Sequence, residues 1–598
     1  MKFPYGDSDF YQIITEGYLY VDRTDRIPLL EEAGKNLTLL RPRRFGKTLL
    51  LSMLEYYYDL ARAADFARLF GPLAIGRNPT PLHNQFLVLK WDFSRINPQG
   101  DTETVTQSVH QHINSSIEWF AAYYEPFLKR PIRIESTDAM ASFASLLIAT
   151  RISGHQLYLL VDEYDNFANE VMISNQPTGH ARYEALVTGE GLVKTIFKNV
   201  KGAMDEGLGR VFITGVSPIV LSDITSGHNI SESLTLRNDL FDLCGFTSAE
   251  VQLMVAQLAE QRNLPASKAQ ELLALMRTFY NGSRFVYSEQ PLIYNPTLVF
   301  YLLKYFQREG SYPRELLDTN LAPDYQKLVY ISQRPNGEQL IAAALNEADP
   351  ITIVTLADRF GLRQLLAETK TTTLLASLLY YLGALTLGGE TASGELILRV
   401  PNLVIRKLYI ERLREMILPD NDAQTAGVEV AKALYEQGEL QPLCDFIESH
   451  YFAVLDNRDY LHANELTVKM AFLSLLYNDT FYIIDSEQPV ARGYADLTMI
   501  LRPEMWRYRL LNILIEFKFI KPGELGLTTE GVKAKSQTEL TALDLVKTKM
   551  NEAVAQAKRY RTVLSAKYGE PERLHSYAVV AIGFERLVWQ EVSETVRQ

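Results

Sequence analysis

Residues 36–54 join a short apolar run to a basic loop and then to a second apolar run, and this pattern constrains the fold more than any other in the chain. The runs at 37–40 and 49–54 predict a buried strand and the start of a helix. The loop between them ends in Gly46-Lys47-Thr48. In such an arrangement, backbone N–H groups cradle phosphates, the lysine reaches the β- and γ-phosphates, and the threonine hydroxyl holds Mg²⁺. The pattern therefore indicates a nucleotide-binding loop, and the alternative is a helix start that carries Gly-Lys-Thr by chance.

The first residues of this loop are unusual. Arg41 stands where such a loop usually has its first glycine, and Pro42 has no N–H group. We therefore expect the loop to turn differently and to offer fewer amide donors, with arginine side chains supplying positive charge. The residues expected to bind the nucleotide are Arg43, Arg44, Phe45, Gly46, Lys47 and Thr48.

A second apolar run, at 157–161, ends in the acidic pair Asp162-Glu163. It predicts a buried parallel strand with carboxylates at its C-terminal edge. We expect Asp162, together with Thr48, to hold Mg²⁺ and Glu163 to orient the attacking water in phosphoryl transfer. The alternative is an acidic cap on an ordinary strand end.

Further apolar runs at 86–89 and 210–216 alternate with helical patterns. Such alternation predicts a doubly wound parallel sheet, which binds its ligands at the carboxyl ends of the strands. Lys47, Asp162 and Thr214 should converge there, and Thr214 or Ser217 would sense the γ-phosphate. ATP and Mg²⁺ are the expected cofactors.

The C-terminal part of the chain contains a second group of acids. A helical pattern begins at Glu465, Asp496 opens one apolar strand pattern, and Glu516-Phe517-Lys518 closes another. Residues two apart on a strand share a face, so Glu516 and Lys518 should both point toward the strand that carries Asp496. Asp496 and Glu516 would bind Mg²⁺ at a phosphodiester, and Lys518 would position or deprotonate water. The alternative is a salt-bridged strand end.

A helix with one apolar and one basic face follows. Its apolar residues recur at steps of three and four, which predicts that this face packs on the sheet: Val546, Met550, Ala553, Ala557, Tyr560 and Leu564. Between Lys533 and Lys567, eight Lys and Arg against three Asp and Glu give a local charge of +5 in a chain of net charge −12. We interpret this surface as a confined nucleic-acid groove, with a merely solvated helix face as the equal alternative.

These motifs together resemble those of a known family. Segments 20–24, 41–48, 161–165 and 213–217, and the order Asp496 then Glu516-x-Lys518, are similar to AAA-ATPase-like proteins that carry a C-terminal PD-(D/E)XK nuclease domain. The resemblance covers nearly the whole chain, and the loop without its first glycine is the family's own form. It implies a P-loop NTPase parallel sheet with a helical lid and a winged-helix-like connector, followed by a restriction-endonuclease-like α/β domain. It also implies Glu465 as a catalytic residue and places Gln556 and Tyr560 toward DNA.

The length and composition of the chain limit the classes of protein to which it can belong. A chain of 598 residues predicts several domains, and we expect an ATPase core at 1–245, a lid and connector at 246–420 and a nuclease domain at 421–598. Two distant cysteines allow neither a disulfide framework nor a zinc site. Without a visible secretory signal or a sufficiently apolar span, a cytoplasmic protein is expected, with no membrane partner. Self-association into a homo-oligomer stays open.

The expected function is an ATP-hydrolysing, Mg²⁺-dependent nuclease in which the ATPase gates or powers cleavage, with DNA preferred to RNA as the substrate. The catalytic residues would be Glu163, Glu465, Asp496, Glu516 and Lys518. The alternative is a nucleotide-switched nucleic-acid-binding or scaffolding protein that does not cleave.

Overall fold

The computed structural model describes the chain except residues 98, 167–190, 205, 220–230, 317–321, 335, 347–348, 359, 362–371, 456–463, 486–487, 491–492, 570 and 593–598. Its contacts divide the chain into two compact units. Unit 1 comprises Met1–Gly310, Asp318–Leu340 and Ile351–Leu403, and unit 2 comprises Ser311–Leu317, Ile341–Pro350 and Val404–Gln598. The expected boundaries at 245/246 and 420/421 stay predictions.

A parallel sheet forms the centre of unit 1. The described strands are β1 (Asn36–Leu40), β2 (Phe86–Asp92), β3 (Gln156–Asp162), β4 (Leu208–Gly215) and β5 (Glu232–Ser233). Their order is β2-β3-β4-β1-β5, and every neighbouring pair is parallel. The inner strands are nearly continuous apolar runs because helices cover both faces of such a sheet. All carboxyl ends consequently lie at one edge.

The first helices of unit 1 surround this sheet: α1 (Phe10–Thr15), α2 (Ile27–Ala33), α3 (Lys47–Tyr58), α4 (Phe66–Leu69), α5 (Thr102–Tyr123), α6 (Ala139–Ile152) and α7 (Leu192–Ala203). Helix α3 follows β1 after a six-residue loop. Its Leu50, Leu54 and Tyr58 pack into one core with Leu37 and Leu39 of β1. This packing fixes the start of α3 at the carboxyl edge of the sheet.

The rest of unit 1 contains further helices and a small sheet. The helices are α8 (Ser248–Arg262), α9 (Ala266–Tyr280), α10 (Pro296–Glu309), α11 (Ala322–Ser332), α12 (Gly337–Ala344), whose last four residues belong to unit 2, and α13 (Thr372–Tyr381). The strands β6 (Ile351–Ile353), β7 (Thr386–Glu390) and β8 (Leu396–Arg399) pair antiparallel in the order β6-β8-β7. The expected order of helix, strand, turn and strand between 372 and 399 is therefore present.

Unit 2 packs helices on a mixed sheet. The helices are α14 (Leu403–Ile417), α15 (Asn421–Gln437), α16 (Gln441–Phe446), α17 (Phe452–Leu455), α18 (Glu465–Leu476), α19 (Thr529–Lys533), α20 (Gln537–Thr541) and α21 (Asp544–Tyr568). The strands are β9 (Tyr482–Asp485), β10 (Gln488–Val490), β11 (Gly493–Ala495), β12 (Leu497–Leu501), β13 (Asn512–Ile520), β14 (Leu574–Ile582) and β15 (Arg586–Glu591). The main sheet has the order β15-β14-β13-β12-β9, in which β13 and β14 are parallel, and β10 pairs with β11.

Helix α21 confirms the apolar periodicity of the sequence. Its buried residues are those predicted: Val546, Met550, Ala553, Ala557, Tyr560 and Leu564. They share one core with residues of β13 and β14, such as Leu514 and Val580. The two sheets and their helices confirm the expected α/β fold class.

A buried arginine follows β12. Arg502 is fully buried, and its guanidinium pairs with Glu504. It also donates hydrogen bonds of 3.0–3.3 Å to four backbone carbonyls, those of Pro313, Arg314, Asp479 and Thr480. Segment 311–316 is thereby held within unit 2.

Within the described ranges, no helix combines the length and the apolar character that crossing a membrane requires.

Candidate nucleotide site and candidate metal centre

The loop between β1 and α3 turns through two residues in the left-handed region, Arg44 at φ 68° and Gly46 at φ 96°. Gly46 therefore occupies a position that favours glycine. Arg41 has no positive φ, so its position does not require a glycine. Its side chain is buried, donates to the carbonyl of Thr235 at 2.7 Å, and lies 4.5 Å from the ring centre of Phe285. The contacts of the Arg41 side chain thus hold the first residue of the loop in the core.

Lys47 is buried beneath the same loop. Its Nζ donates to the carbonyls of Arg41 and Pro42, both at 3.0 Å. Burial lowers the pKa of the ammonium, and the nearby carboxylates of Glu163 and Asp162 oppose this shift. The first N–H groups of α3 have no acceptor within the helix, so the loop offers amide donors and a positive charge together. This combination suits an anionic phosphate.

The other predicted loop residues have different surroundings. Thr48 is half-buried in the first turn of α3. Arg43 donates from Nη2 to Asn166 Oδ1 at 2.8 Å, and the carbonyl of Arg44 accepts from the Thr297 hydroxyl at 3.3 Å. The ring of Phe45 is buried edge-on against Phe285, with 5.1 Å between ring centres. The buried ring of Phe45 fixes the loop.

The acidic pair lies at the carboxyl end of β3. Asp162 is buried, and its Oδ1 accepts from the Glu163 N–H at 3.1 Å. Glu163 has φ 48°, which turns the chain sharply out of the strand. Burial raises the pKa of Glu163, whereas Lys47 and Arg43 lower it. Lys47 and both acids are therefore close enough to influence one another.

Strand β4 separates β1 from β3, and its last residues support the acids. The Thr214 hydroxyl donates to Asp162 Oδ1 at 2.6 Å and is fully buried. The Ser217 hydroxyl and N–H donate to Asp165 Oδ2 at 2.9 and 2.7 Å. In this structure both hydroxyls bond carboxylates, and a γ-phosphate contact by either stays a prediction.

A small, largely apolar cavity of about 80 Å³ adjoins the loop. Its lining includes Tyr20 and Val21, Phe45 and Gly46 of the loop, and residues 243–246. The cavity therefore places apolar surface next to the phosphate loop.

In unit 2, the antiparallel pairing of β12 with β13 brings Asp496 and Glu516 side by side. Leu497 pairs with Ile515, so Asp496 and Glu516 are the next opposed residues. The Asp496 N–H donates to Glu516 Oε1 at 3.1 Å, and the Phe517 N–H donates to Asp496 Oδ2 at 2.9 Å. Each carboxylate is thus held by a peptide group of the opposite strand.

Glu516 is nearly inaccessible to solvent. Burial, followed by repulsion from Asp496, raises the pKa of Glu516 to about 8. Two carboxylates crowded in this way are a donor set that a hard divalent cation would stabilise. The residues present therefore fit Mg²⁺.

Two lysines flank these carboxylates. Lys518 Nζ donates to its neighbour's carbonyl, Phe517 O, at 2.8 Å and lies 4.0 Å from Glu465 Oε2. Lys469, one turn after Glu465 on α18, is 7% exposed and lies 4.0 Å from Asp496 Oδ1. Lys469 is not among the site residues that the sequence patterns predict. The signal was a lysine at i+4 from Glu465 in an otherwise apolar helix stretch.

Glu465 approaches the carboxylate pair through Lys518, whose Nζ lies 4.0 Å from Glu465 Oε2. Burial raises the pKa of Glu465, and Lys518 opposes this shift. In the part of the chain that the structure describes, no three His, Cys, Asp or Glu side chains form a metal-binding group. Asp496 and Glu516 are therefore the two protein carboxylates of the candidate centre, which suits Mg²⁺ because it usually keeps several waters.

The basic surface on and beside α21 is partly used within the protein. Lys549 pairs with Glu552 at 2.9 Å, and Lys533 pairs with Glu585 at 3.1 Å. Arg561 donates to the carbonyls of Leu574 and Pro571. Tyr560, which the family resemblance placed toward DNA, is buried in the core because it lies on the apolar face of the helix. Gln556 is half-buried.

Two family models match the chain. Residues 4–225 match the model described as predicted AAA-ATPase, and residues 463–591 match the PD-(D/E)XK nuclease superfamily. Both predicted resemblances are confirmed at this level. An uncharacterized protein in the vnfD 5' region of Azotobacter chroococcum mcd 1 is 24% identical over 561 residues, which are 90% of this chain and 93% of that protein.

Three solved structures with weaker similarity are also found. The ORC2 protein of Aeropyrum pernix, in ADPNP-ADP complexes, is 15% identical over 68% of this chain and 98% of that chain, with a TM-score of 0.29. ORC1 of the same organism, in complex with DNA, is 12% identical over 67% and 96%, with a TM-score of 0.26. Cdc6p from Pyrobaculum aerophilum is 12% identical over 67% and 98%, with a TM-score of 0.24. Scores this low carry no argument about ligands.

Proposed function

We propose that this chain, which joins an AAA-ATPase-like domain to a PD-(D/E)XK-superfamily domain, hydrolyses ATP and cleaves DNA in a Mg²⁺-dependent reaction that the ATPase gates or powers. The observation that carries the nuclease proposal is the opposed pair Asp496 and Glu516, with Lys518 two residues along the same strand. The ATPase proposal rests on buried Lys47 beside Asp162 and Glu163.

In the ATPase, the start of α3 and Lys47 would bind the β- and γ-phosphates, with Arg43 and Arg44 adding charge at the rim. Thr48 and Asp162 would hold Mg²⁺, and Thr214 would keep Asp162 in place through its 2.6 Å hydrogen bond. Glu163 would orient the attacking water. The apolar surface beside Gly46 would contact the base.

In the nuclease, Asp496 and Glu516 would hold Mg²⁺, which when bound polarises a phosphodiester and lowers the pKa of water. Lys518 would position the attacking water and compensate negative charge on the phosphate. Glu465 lies 4.0 Å from Lys518 and would orient its ammonium. Lys469 would position Asp496 from the helix side.

The test incubates the full chain with closed circular DNA, single-stranded DNA and RNA, each with and without ATP and Mg²⁺. The expected result is Mg²⁺-dependent DNA cleavage and ATP hydrolysis. Lys47→Ala should abolish ATP hydrolysis, because its ammonium compensates phosphate charge, and Asp496→Asn should abolish cleavage while ATP hydrolysis continues.

Two outcomes would change the proposal. If Lys47→Ala cleaves normally without ATP, the two activities are independent and cleavage is not driven by ATP. If the wild-type chain binds DNA in a nucleotide-dependent manner but cleaves no substrate, it is a nucleotide-switched binding or scaffolding protein.

A further inference from the structure

A cavity of about 530 Å³ opens on unit 2, away from the carboxylates. Its walls include Val428 and Lys432 of α15, Phe481 just before β9, and Tyr508 and Arg509 from the loop between β12 and β13. We name this cavity the 508 pocket. Strand β12 begins beside Asp496 and ends at Leu501, so the loop lies at the other end of a strand about 17 Å long. The 508 pocket is therefore separate from the candidate metal centre.

The 508 pocket exposes aromatic surface. The rings of Phe481 and Tyr508 stand edge to face, 5.7 Å apart and at 85°. Tyr508 is 41% exposed, and Trp506 in the same loop is 37% exposed. Among the described residues of unit 2, the strongly exposed large apolar or aromatic side chains are Val428, Trp506, Tyr508 and Val563. Three of these four lie in the pocket or its loop, so the exposure is concentrated there, as expected of a binding surface.

The same surface is basic although the chain as a whole is acidic. The loop reads Trp506-Arg507-Tyr508-Arg509, in which basic and aromatic residues alternate. Arg507 lies 5.0 Å from the ring centre of Tyr508. Lys432 and Arg509 form no ion pair within 4.0 Å with any residue that the structure describes. Among the described residues that line the pocket, these two cations outnumber the acids, of which there is one, Glu436, a turn after Lys432 on α15.

We propose that the 508 pocket binds an unpaired base of a single-stranded nucleic acid, with the base stacked on Tyr508 and the flanking phosphates beside Lys432 and Arg509. Every base has a π-face that stacks on aromatic rings, and every nucleotide brings an anionic phosphate, so one strand satisfies both features. A duplex keeps its bases stacked inside and offers no such face. The inference rests on the proposed function because it takes nucleic acid as the ligand.

The test measures binding of a fluorescent oligothymidylate to the full chain by anisotropy, in EDTA and without nucleotide. Tyr508→Ala should weaken binding about tenfold because the stacking ring is lost. Tyr508→Phe, the matched control, should bind as the wild type does because the ring remains. Arg509→Gln should weaken binding and lower its dependence on salt concentration by about one phosphate contact.

An abasic oligonucleotide of equal length separates stacking from phosphate attraction. It should bind the wild-type chain about as weakly as oligothymidylate binds Tyr508→Ala, and Tyr508→Ala should not weaken it further. Unchanged oligothymidylate binding by Tyr508→Ala would overturn the proposal and leave the pocket to another ligand, such as a protein partner. Equal loss for both oligonucleotides would overturn it as well, since stacking would not be involved.

Because this assay contains no metal and no ATP, it does not depend on cleavage. A chain that never cleaves can still bind through Tyr508, which would refute only the proposed function. A chain that cleaves but binds single strands without Tyr508 would refute only the 508 pocket.

Discussion

The nucleotide site of unit 1 and the carboxylate pair of unit 2 both bury a charged group at the end of a strand, but the charges have opposite signs. In unit 1, Lys47 lies among backbone carbonyls, and burial lowers the pKa of its ammonium. In unit 2, Glu516 lies against another carboxylate, and burial raises the pKa of Glu516 to about 8. One cause, loss of solvation, opposes both charges. The first site is therefore stabilised by an anion and the second by a cation.

The sites also differ in how the fold assembles them. A parallel sheet gathers Lys47, Asp162 and Thr214 at one edge although distant parts of the chain supply them. An antiparallel pair opposes Asp496 and Glu516 directly, and neighbouring peptide groups hold both carboxylates. We therefore expect substitutions at the unit 2 site to change how cleavage depends on metal concentration. At the unit 1 site, we expect ATP hydrolysis to depend on the hydrogen bonds that hold the acids in place.

The largest expected effect separates the metal ligand from the lysine in unit 2. Asp496→Ala and Lys518→Ala should each reduce cleavage by at least about 100-fold, while ATP hydrolysis persists. Raised Mg²⁺ or substituted Mn²⁺ should partly rescue Asp496→Ala, whose metal site is weakened, but not Lys518→Ala, whose ammonium is absent. Metal titrations of cleavage measure this difference. Equal rescue of both variants would contradict the role of Lys518.

Glu163→Gln tests the corresponding division of roles in unit 1. ATP binding should be retained, and hydrolysis should fall by about 100-fold or more, because an amide does not polarise water as a carboxylate does. Equilibrium binding of a fluorescent ATP analogue and steady-state phosphate release measure the two quantities. If Glu163→Gln binds no ATP, this residue has a different role.

Thr214→Val removes the hydroxyl that bonds Asp162 and should reduce ATP hydrolysis by about 10- to 100-fold, as is typical for groups that orient a metal ligand. The Mg²⁺ concentration needed for half-maximal activity should rise. Thr214→Ser keeps the donor and serves as the control. An unchanged Mg²⁺ requirement in Thr214→Val would leave the γ-phosphate contact as the better explanation of any lost activity.

Lys469→Met should tighten Mn²⁺ binding several-fold while reducing cleavage about tenfold, because it removes a positive charge 4.0 Å from Asp496 that also helps to orient the carboxylate. Calorimetric titration of Mn²⁺ without DNA measures the first effect independently of activity. Lys469→Arg should preserve both properties. Weaker Mn²⁺ binding in Lys469→Met would show that the orientation of Asp496 by the lysine outweighs the repulsion between the lysine and the metal.

The last effect concerns stability and its dependence on pH. The pKa of Glu516 is about 8 in the folded chain against 4.5 ordinarily, so the folded state holds this proton more tightly than the unfolded state. The stability that this proton supports is fully present below pH 4.5 and is lost as pH rises through 8. Melting in EDTA should therefore show Glu516→Gln gaining on the wild type between these limits. A pH-independent difference in melting temperature would contradict the raised pKa.

Sequence patterns predicted the features that depend mainly on the succession of residues along the chain. The loop after β1, the acids after β3 and the six buried residues of α21 follow from apolar runs and helical spacing. The carboxylate pair followed from the alternation of side chains on a strand. In the first three cases one segment of chain carries the whole signal, whereas the carboxylate pair also depends on the pairing of two strands.

Tertiary placement was not predictable in the same way. Lys469 looks like a surface lysine in sequence, and only the packing of α18 against β13 brings it to Asp496. The sequence places Arg41 where such a loop usually has its first glycine, and in the structure its side chain enters the core beside Phe285. For Tyr560, the helical spacing predicts a buried side chain, whereas the family resemblance places the residue toward DNA. In the structure Tyr560 is buried, as the spacing predicts. Such outcomes depend on neighbours that the local sequence does not specify.

The buried guanidinium of Arg502 has a consequence for how unit 2 can be made on its own. Two of its carbonyl acceptors lie in segment 311–316, 188 and 189 residues earlier in the chain. A truncation that starts at residue 404 would remove both; Nη1 would keep the carbonyls of Asp479 and Thr480, whereas Nη2 would lose the carbonyl of Pro313, and a buried donor left unsatisfied costs about 1–3 kcal/mol. During synthesis the same acceptors leave the ribosome long before Arg502 does. A fragment that is meant to reproduce unit 2 should therefore include segment 311–316 as well as Arg502.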